Sequence, residues 1–177
     1  GKVLMPGLVD SHSHIGGTLG GDGSAPLQPE TRVLDTLNVR DAGVQKARAG
    51  GITTVNVMPG SGLLSSGQTL YLKLRSGGTI DELLLRDEQG TILGGLKMAN
   101  GTNSIRTAPM PGTRGKSAAL FRELFVKAQD YREKIRRAEG KPDQLPPRDL
   151  APETLVEVLN GKRVVHFHTH RHDDILT

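Results

Sequence analysis

Val3-Leu4-Met5-Pro6-Gly7-Leu8-Val9-Asp10-Ser11-His12-Ser13-His14-Ile15-Gly16 is an apolar run broken by a Pro-Gly turn and ended by two histidines spaced by two. Leu8 and Val9 read as the start of a short buried strand after that turn. Side chains alternate across a strand, so His12 and His14 share a face. The same spacing recurs near the other end, where Val164-Val165 lead into His166, His168, His170 and His172. All six histidines fall in these two clusters. Random order would give roughly 0.2 His-x-His pairs, whereas the chain has four. Imidazoles ranged on one face of a strand end suit a single cation, and the chain reads as a metal site built from strand ends.

The sequence between the clusters alternates between strand and helix patterns. Asn38 to Ala49 carries apolar residues at helical spacing and stops at Gly50-Gly51. The β-branched run Ile52 to Met58 follows as a strand ended by Pro59-Gly60. Thr69 to Leu74 and Ile92 to Met98 are the next expected strands, and Ile80 to Leu85 suits a strand or a short helix. Ala119, Leu120, Leu124, Ala128, Tyr131 and Ile135 predict a long helix over Lys116 to Glu139, and Leu155, Val156 and Leu159 a second over Ala151 to Asn160. Val164 to His168 is the last expected strand. The glycine-rich stretch Gly16 to Pro29 is expected to be a mobile flap beside the site.

Strand, helix and parallel strand joined by right-handed crossovers define an α/β class. The expected architecture is an incomplete (β/α) TIM-type barrel of about five strands out of eight, with its chemistry at the C-terminal strand ends. An unclosed barrel has open edges, so this stretch is expected to be unstable or homo-oligomeric by itself.

Composition narrows the function. Cysteine is absent, so a transition metal has only histidine and oxygen ligands available. The net charge of +4 comes from 23 basic against 19 acidic residues, and Arg122 to Lys141 mixes both signs. With aromatics at 3% and no Trp, that segment fits a solvated helix face rather than a nucleic-acid stripe. No apolar run approaches the ~20 residues of a membrane span. No nucleic-acid or membrane partner is expected, and the location is expected to be cytoplasmic. Gly1 to Asp10 lacks the look of a natural start, and Ile175-Leu176-Thr177 stops inside what reads as a new helix.

Taken together, these motifs resemble the amidohydrolase superfamily. The stretch from Val3 to Gly16 is similar to its first barrel strand, whose "PG-apolar-apolar-D-x-H-x-H" signature carries two metal ligands. Gly50-Gly51-Ile52-Thr53-Thr54-Val55 resembles its "GGxTTV" entry to the second strand. His166-Phe167-His168-Thr169-His170-Arg171-His172-Asp173-Asp174-Ile175 is similar to the fifth-strand "HAHRADDI" segment of imidazolonepropionase-like and prolidase-like members. The resemblance implies hydrolysis of a C–N bond, in an amide, cyclic amide or dipeptide-like small molecule, by water that a divalent metal activates. Zinc is the expected metal, as one or two ions, with iron, manganese or nickel as alternatives.

Carried over residue by residue, the resemblance makes His12, His14 and His168 metal ligands. Lys97, in Gly94-Gly95-Leu96-Lys97-Met98, corresponds to a fourth-strand lysine that some members carboxylate to bridge two metals, and so is both a ligand and a catalytic candidate. His170 is a catalytic and substrate-facing candidate. Arg114, in Pro111-Gly112-Thr113-Arg114-Gly115, is a candidate clamp for a substrate carboxylate. His166 and His172 are expected to be structural or exposed, and Asp173 and Asp174 to cap a helix. The "GENP"-like loop of relatives reads Gly101-Thr102-Asn103-Ser104 here, which removes its Glu. The sixth-strand His and eighth-strand Asp of the pattern have no counterpart among these residues. The expectation is a partial barrel over 1–177, lacking the rest of the barrel and an N-terminal β-sandwich part, with little or no hydrolase activity alone. A non-catalytic histidine-rich metal-binding module and an inactive truncated remnant are the alternatives.

Overall fold

The computed structural model describes residues 1–18 and 21–176. Leu19 and Gly20 of the expected flap, and Thr177 of the expected last helix, lie outside these. Six strands and five helices are formed among the described residues. They run β1 (Leu8–Ser13), α1 (Ala42–Ala49), β2 (Ile52–Val57), β3 (Ser65–Gln68), β4 (Leu70–Lys73), α2 (Ile80–Leu83), β5 (Gly95–Ala99), α3 (Arg114–Arg137), α4 (Leu150–Leu159), β6 (Val164–His168) and α5 (His172–Leu176).

Helix boundaries follow local chemistry. Asp41 caps α1 by accepting from the Gly43 amide, which starts the helix later than its apolar pattern alone suggests. Thr113 caps α3 and Asp149 caps α4 in the same way. The charges of α3 pair within the helix, Lys127 with Glu123 and both Arg136 and Arg137 with Glu133, each at 2.7 Å. This gives the solvated face that the mixed charges predict. No helix among the described residues is long and apolar enough to cross a membrane.

The sheet departs from the expected parallel array. Two three-stranded sheets form, ordered β1-β2-β4 and β3-β5-β6. The pairs β1 with β2 and β5 with β6 are parallel, as expected, while β2 with β4 and β3 with β5 are antiparallel. The physical reason lies in residues 65–73. They form one extended segment broken only at Thr69, whose first half pairs with β5 and second half with β2. The turn residues Pro59 to Gly62 let the chain double back after β2 without a crossover helix, so Thr69 to Leu74 lies antiparallel. Ser65 to Gln68, Ser-Ser-Gly-Gln, has no strand pattern of its own and becomes a strand because β5 offers it partners.

Alternation along the strands sorts two environments. Leu96 and Met98 of β5 pack with Val165 of β6 against Phe121, Leu124, Phe125 and Ala128 of α3 and Leu155 of α4. Val55 and Val57 of β2 pack with Leu70 and Leu72 of β4 against Val44 of α1. The residues between them, Lys97 and His166, are register partners on the opposite face. The outer strands expose apolar side chains, Val9 on β1 and Val164 and Phe167 on β6. Among the described residues of the loop expected to be a flap, the stretch from Asp22 to Gln28 makes hydrogen bonds within itself and to β3. Gln28 is buried, its amide donates to Asp22 and Ala25 carbonyls, and Leu27 bridges to Ser65.

Candidate functional site

Each polar residue of the site is placed by a strand. β1 carries His12 and delivers His14 just past its end, and a register irregularity between Asp10 and Ser13 tilts this end of the strand. The two rings meet edge to face, with centroids 5.1 Å apart. His14 Nδ1 lies 2.8 Å from the Met58 carbonyl oxygen. A carbonyl only accepts, so Nδ1 bears the proton and the Nε2 lone pair is left for another partner.

Lys97 sits at the middle of β5 and is 1% exposed. No carboxylate pairs with its ammonium among the described residues, and desolvation lowers its pKa from 10.5. Facing it across the register is His166, whose Nε2 accepts from Asn56 Nδ2 at 3.0 Å. Gly95 makes room for that ring, because a Cβ there would meet His166 Cδ2 at 2.4 Å. Asn56 Oδ1 is buried without a partner. At the end of β6, His168 and His170 bring their Nε2 atoms within 2.9 Å, and Asn103 spans both.

The two histidine clusters face one another across Lys97. Burial lowers the His12 pKa, followed by the charges of Lys97, His14 and His168. Burial also lowers His166, then Lys97, and it lowers His168, then His170 and Lys97. These imidazoles stay neutral where a free histidine begins to protonate, so their lone pairs remain available to a cation. In the metal-free chain the unfolded state binds protons at 6.5 that the folded state refuses, so stability is complete above pH 6.5 and falls as pH drops below it. Thermal melts of the metal-free chain are expected to show a lower Tm at pH 5.5 than at pH 7.5. An unchanged Tm would show that the rings are as well hydrated as in the unfolded chain.

The other expected site residues fall around this centre. Arg114 opens α3, and its Nε donates to Asp174 Oδ1 at 2.9 Å, so a buried carboxylate already holds part of the expected clamp. Asp173 and Asp174 lie in the first turn of α5, where carboxylates favour the helix. His172 is exposed as the first residue of α5. The expected ligand cage is not closed: among the described residues no group of three His, Cys, Asp or Glu side chains converges to hold an ion. The chain supplies imidazoles from only two strand ends, and its remaining candidate ligand is a lysine. Neither Asn56 nor Asn103 belongs to a motif that marks it as a site residue. An amide inside the β-branched run Thr53-Thr54-Val55-Asn56-Val57 was the available signal for the first, and the altered "GENP"-like loop for the second.

No family model matches the chain. It is 30% identical to the protein named Amidohydrolase tasK of Hapsidospora irregularis over 206 residues, covering 99% of this chain and 20% of that protein. The solved structure of an amidohydrolase from Thermotoga maritima MSB8 superposes with a TM-score of 0.86 at 34% identity, over 97% of this chain and 47% of that one. The chain thus spans about a fifth of the curated relative and about half of the solved one. Along nearly its whole length it is similar to segments of two proteins named amidohydrolases, and this supports an amidohydrolase family for it.

Proposed function

We propose that this chain forms the first part of the catalytic barrel of a metal-dependent amidohydrolase that cleaves a C–N bond in an amide, a cyclic amide or a dipeptide-like substrate. The observation that carries the reading is the His14 Nδ1 hydrogen bond to the Met58 carbonyl at 2.8 Å. A backbone carbonyl on one ring nitrogen fixes the tautomer and aims the other nitrogen, which is how histidine ligands are commonly held. Neutral imidazoles without any sulfur ligand fit a divalent ion of the zinc type. Such an ion, when bound, polarises the scissile carbonyl and activates water for attack.

The chain's own residues divide the remaining work. His12 and His14 would hold the ion from β1, and His168 would approach from β6. Lys97, desolvated and unpaired, is suited to add CO₂ through its neutral amine and lose a proton, becoming an anionic oxygen ligand. His170, exposed beyond β6, would face substrate, and the uncommitted part of the Arg114 fork would take a substrate carboxylate. The exposed apolar side chains of β1 and β6 mark where further strands of the barrel would pack, and hydrolysis would need the longer polypeptide.

Calorimetric titration with Zn²⁺ tests the reading. The double variant H12A/H14A is expected to lose one zinc equivalent per chain relative to the parent. Unchanged stoichiometry in that variant overturns it.

A further inference from the structure

Two apolar surfaces, far from the histidines, have no partner among the described residues. The first is the arm before β1. Val3, Leu4 and Met5 are 94%, 98% and 64% exposed, and among the described residues no hydrogen bond holds the segment until the Leu8 amide donates to the Gly51 carbonyl at 2.9 Å. The second is a cavity of about 820 Å³ between α3, β6 and α5. Met98, Phe121, Phe125, Phe167 and Ile175 line it, with the rings of Phe121 and Phe167 at a centroid distance of 5.6 Å. At its polar end Asn100 Oδ1 and Asp174 Oδ2 are buried acceptors without a hydrogen-bond partner among the described residues. A buried acceptor left unpaired is costly, so this end calls for a donor. Lys2, beside the apolar triplet of the arm, has three N–H donors and engages none of them among the described residues.

We propose that two copies of this 177-residue chain exchange arms, with Val3, Leu4 and Met5 of each lying in the cavity of the other and Lys2 donating to Asp174 and Asn100. An arm does not reach its own cavity. β1, β2, β5 and β6 run in one sense, because the segment 65–73 is antiparallel to both β2 and β5. The arm therefore leaves the N-terminal end of the array, while Asn100 and Asp174 lie past the C-terminal ends. Joining the two means running the length of a strand, about 20 Å, and crossing four strand spacings, about 19 Å. The residues from Lys2 to Gly7 span at most about 21 Å when fully extended. Exchange about a two-fold axis uses both surfaces in both copies and closes on itself, so it gives a dimer and no filament. Two arms of this length with the grooves beneath them bury on the order of 1,500 Å², the size of a specific interface. None of the proposed metal ligands lines the cavity, so the exchange stands apart from the metal site.

Sedimentation velocity of the 177-residue chain is expected to show a monomer–dimer equilibrium. Deleting residues 1–5 is expected to weaken dimerisation by at least about a hundredfold, and L4D, which sets a charge against the aromatic pair, to do the same. The monomer of either variant should keep its circular dichroism spectrum, since these residues are exposed within their own chain. The chain has no cysteine, so introduced thiols report position directly. Mixing L4C with I175C in oxidised glutathione should give a disulfide-linked dimer, and mixing L4C with L145C, past the far end of α3, should not. A chain that stays monomeric at every concentration overturns the exchange and leaves the cavity to a segment of the longer polypeptide. A dimer that survives the deletion, or that links L4C equally to both positions, places the interface elsewhere and overturns it too. So does a double variant L4C/I175C that closes its disulfide within one copy.

Discussion

Replacing Lys97 with Met is expected to make the protein more stable and to weaken zinc binding at the His12–His14 position by at least about a hundredfold. Lys97 is 1% exposed, between the register positions of Leu96 and Met98, with no carboxylate against its ammonium among the described residues. Burying a charge without a partner costs free energy, and an unbranched apolar side chain of similar length removes that cost, so a gain of about 1–3 kcal/mol is expected. Its pH dependence identifies the cause. The folded-state pKa is lowered from 10.5, so the penalty in the parent is complete below the lowered value and fades as pH rises towards 10.5. The advantage of Lys97→Met, measured by urea unfolding, should therefore shrink at alkaline pH. A lysine kept only for packing would give no such trade of stability against binding. A destabilised Lys97→Met variant that still binds zinc like the parent would remove Lys97 from the proposed site.

Gly94→Ala is expected to cost about 3 kcal/mol, which for a chain of this size lowers Tm by about 10 °C. A Cβ at position 94 would stand 2.0 Å from the Thr69 carbonyl oxygen and 2.9 Å from its carbon. These are backbone atoms, so no side chain can swing away. Thr69 is where the segment 65–73 changes partner from β5 to β2, and its hydroxyl accepts from the Gly95 amide at 2.7 Å. Pushing that crossing apart separates the two sheets, and with them the His14 and His168 ends of the site. Differential scanning calorimetry checks the shift. Gly112→Ala serves as the control for adding a methyl group alone, since its φ lies outside the left-handed region, as that of Gly94 does, and a Cβ there meets nothing within 4 Å. Equal losses at both positions would show that close approach at Thr69 is not the cause.

Much of the fold is carried by local pattern. The strands at Ile52–Val57 and Val164–His168, the long helix α3 and the helix α4 emerge where apolar periodicity and capping residues agree. The pairing of His12 with His14, and of His168 with His170, is likewise local, because spacing by two brings side chains to one side of a strand. Ser65 to Gln68 and the antiparallel sense of Leu70 to Lys73 are not local properties. They depend on which strands are free to accept their hydrogen bonds, and nothing in Ser-Ser-Gly-Gln states that.

The same division runs through the site. By itself the sequence determined which residue types are available, imidazoles from two strand ends and no thiol, and on which strands they ride. Only the tertiary structure decided that Lys97 is buried unpaired between the clusters, that Met58 fixes the ring of His14, and that Asn56 and Asn103 hold the histidines of β6. It also turned Arg114 towards Asp174. Ring tautomers, desolvation and hydrogen-bond partners depend on atoms that lie up to 110 positions apart, as Asn56 and His166 do, and only folding brings such atoms together.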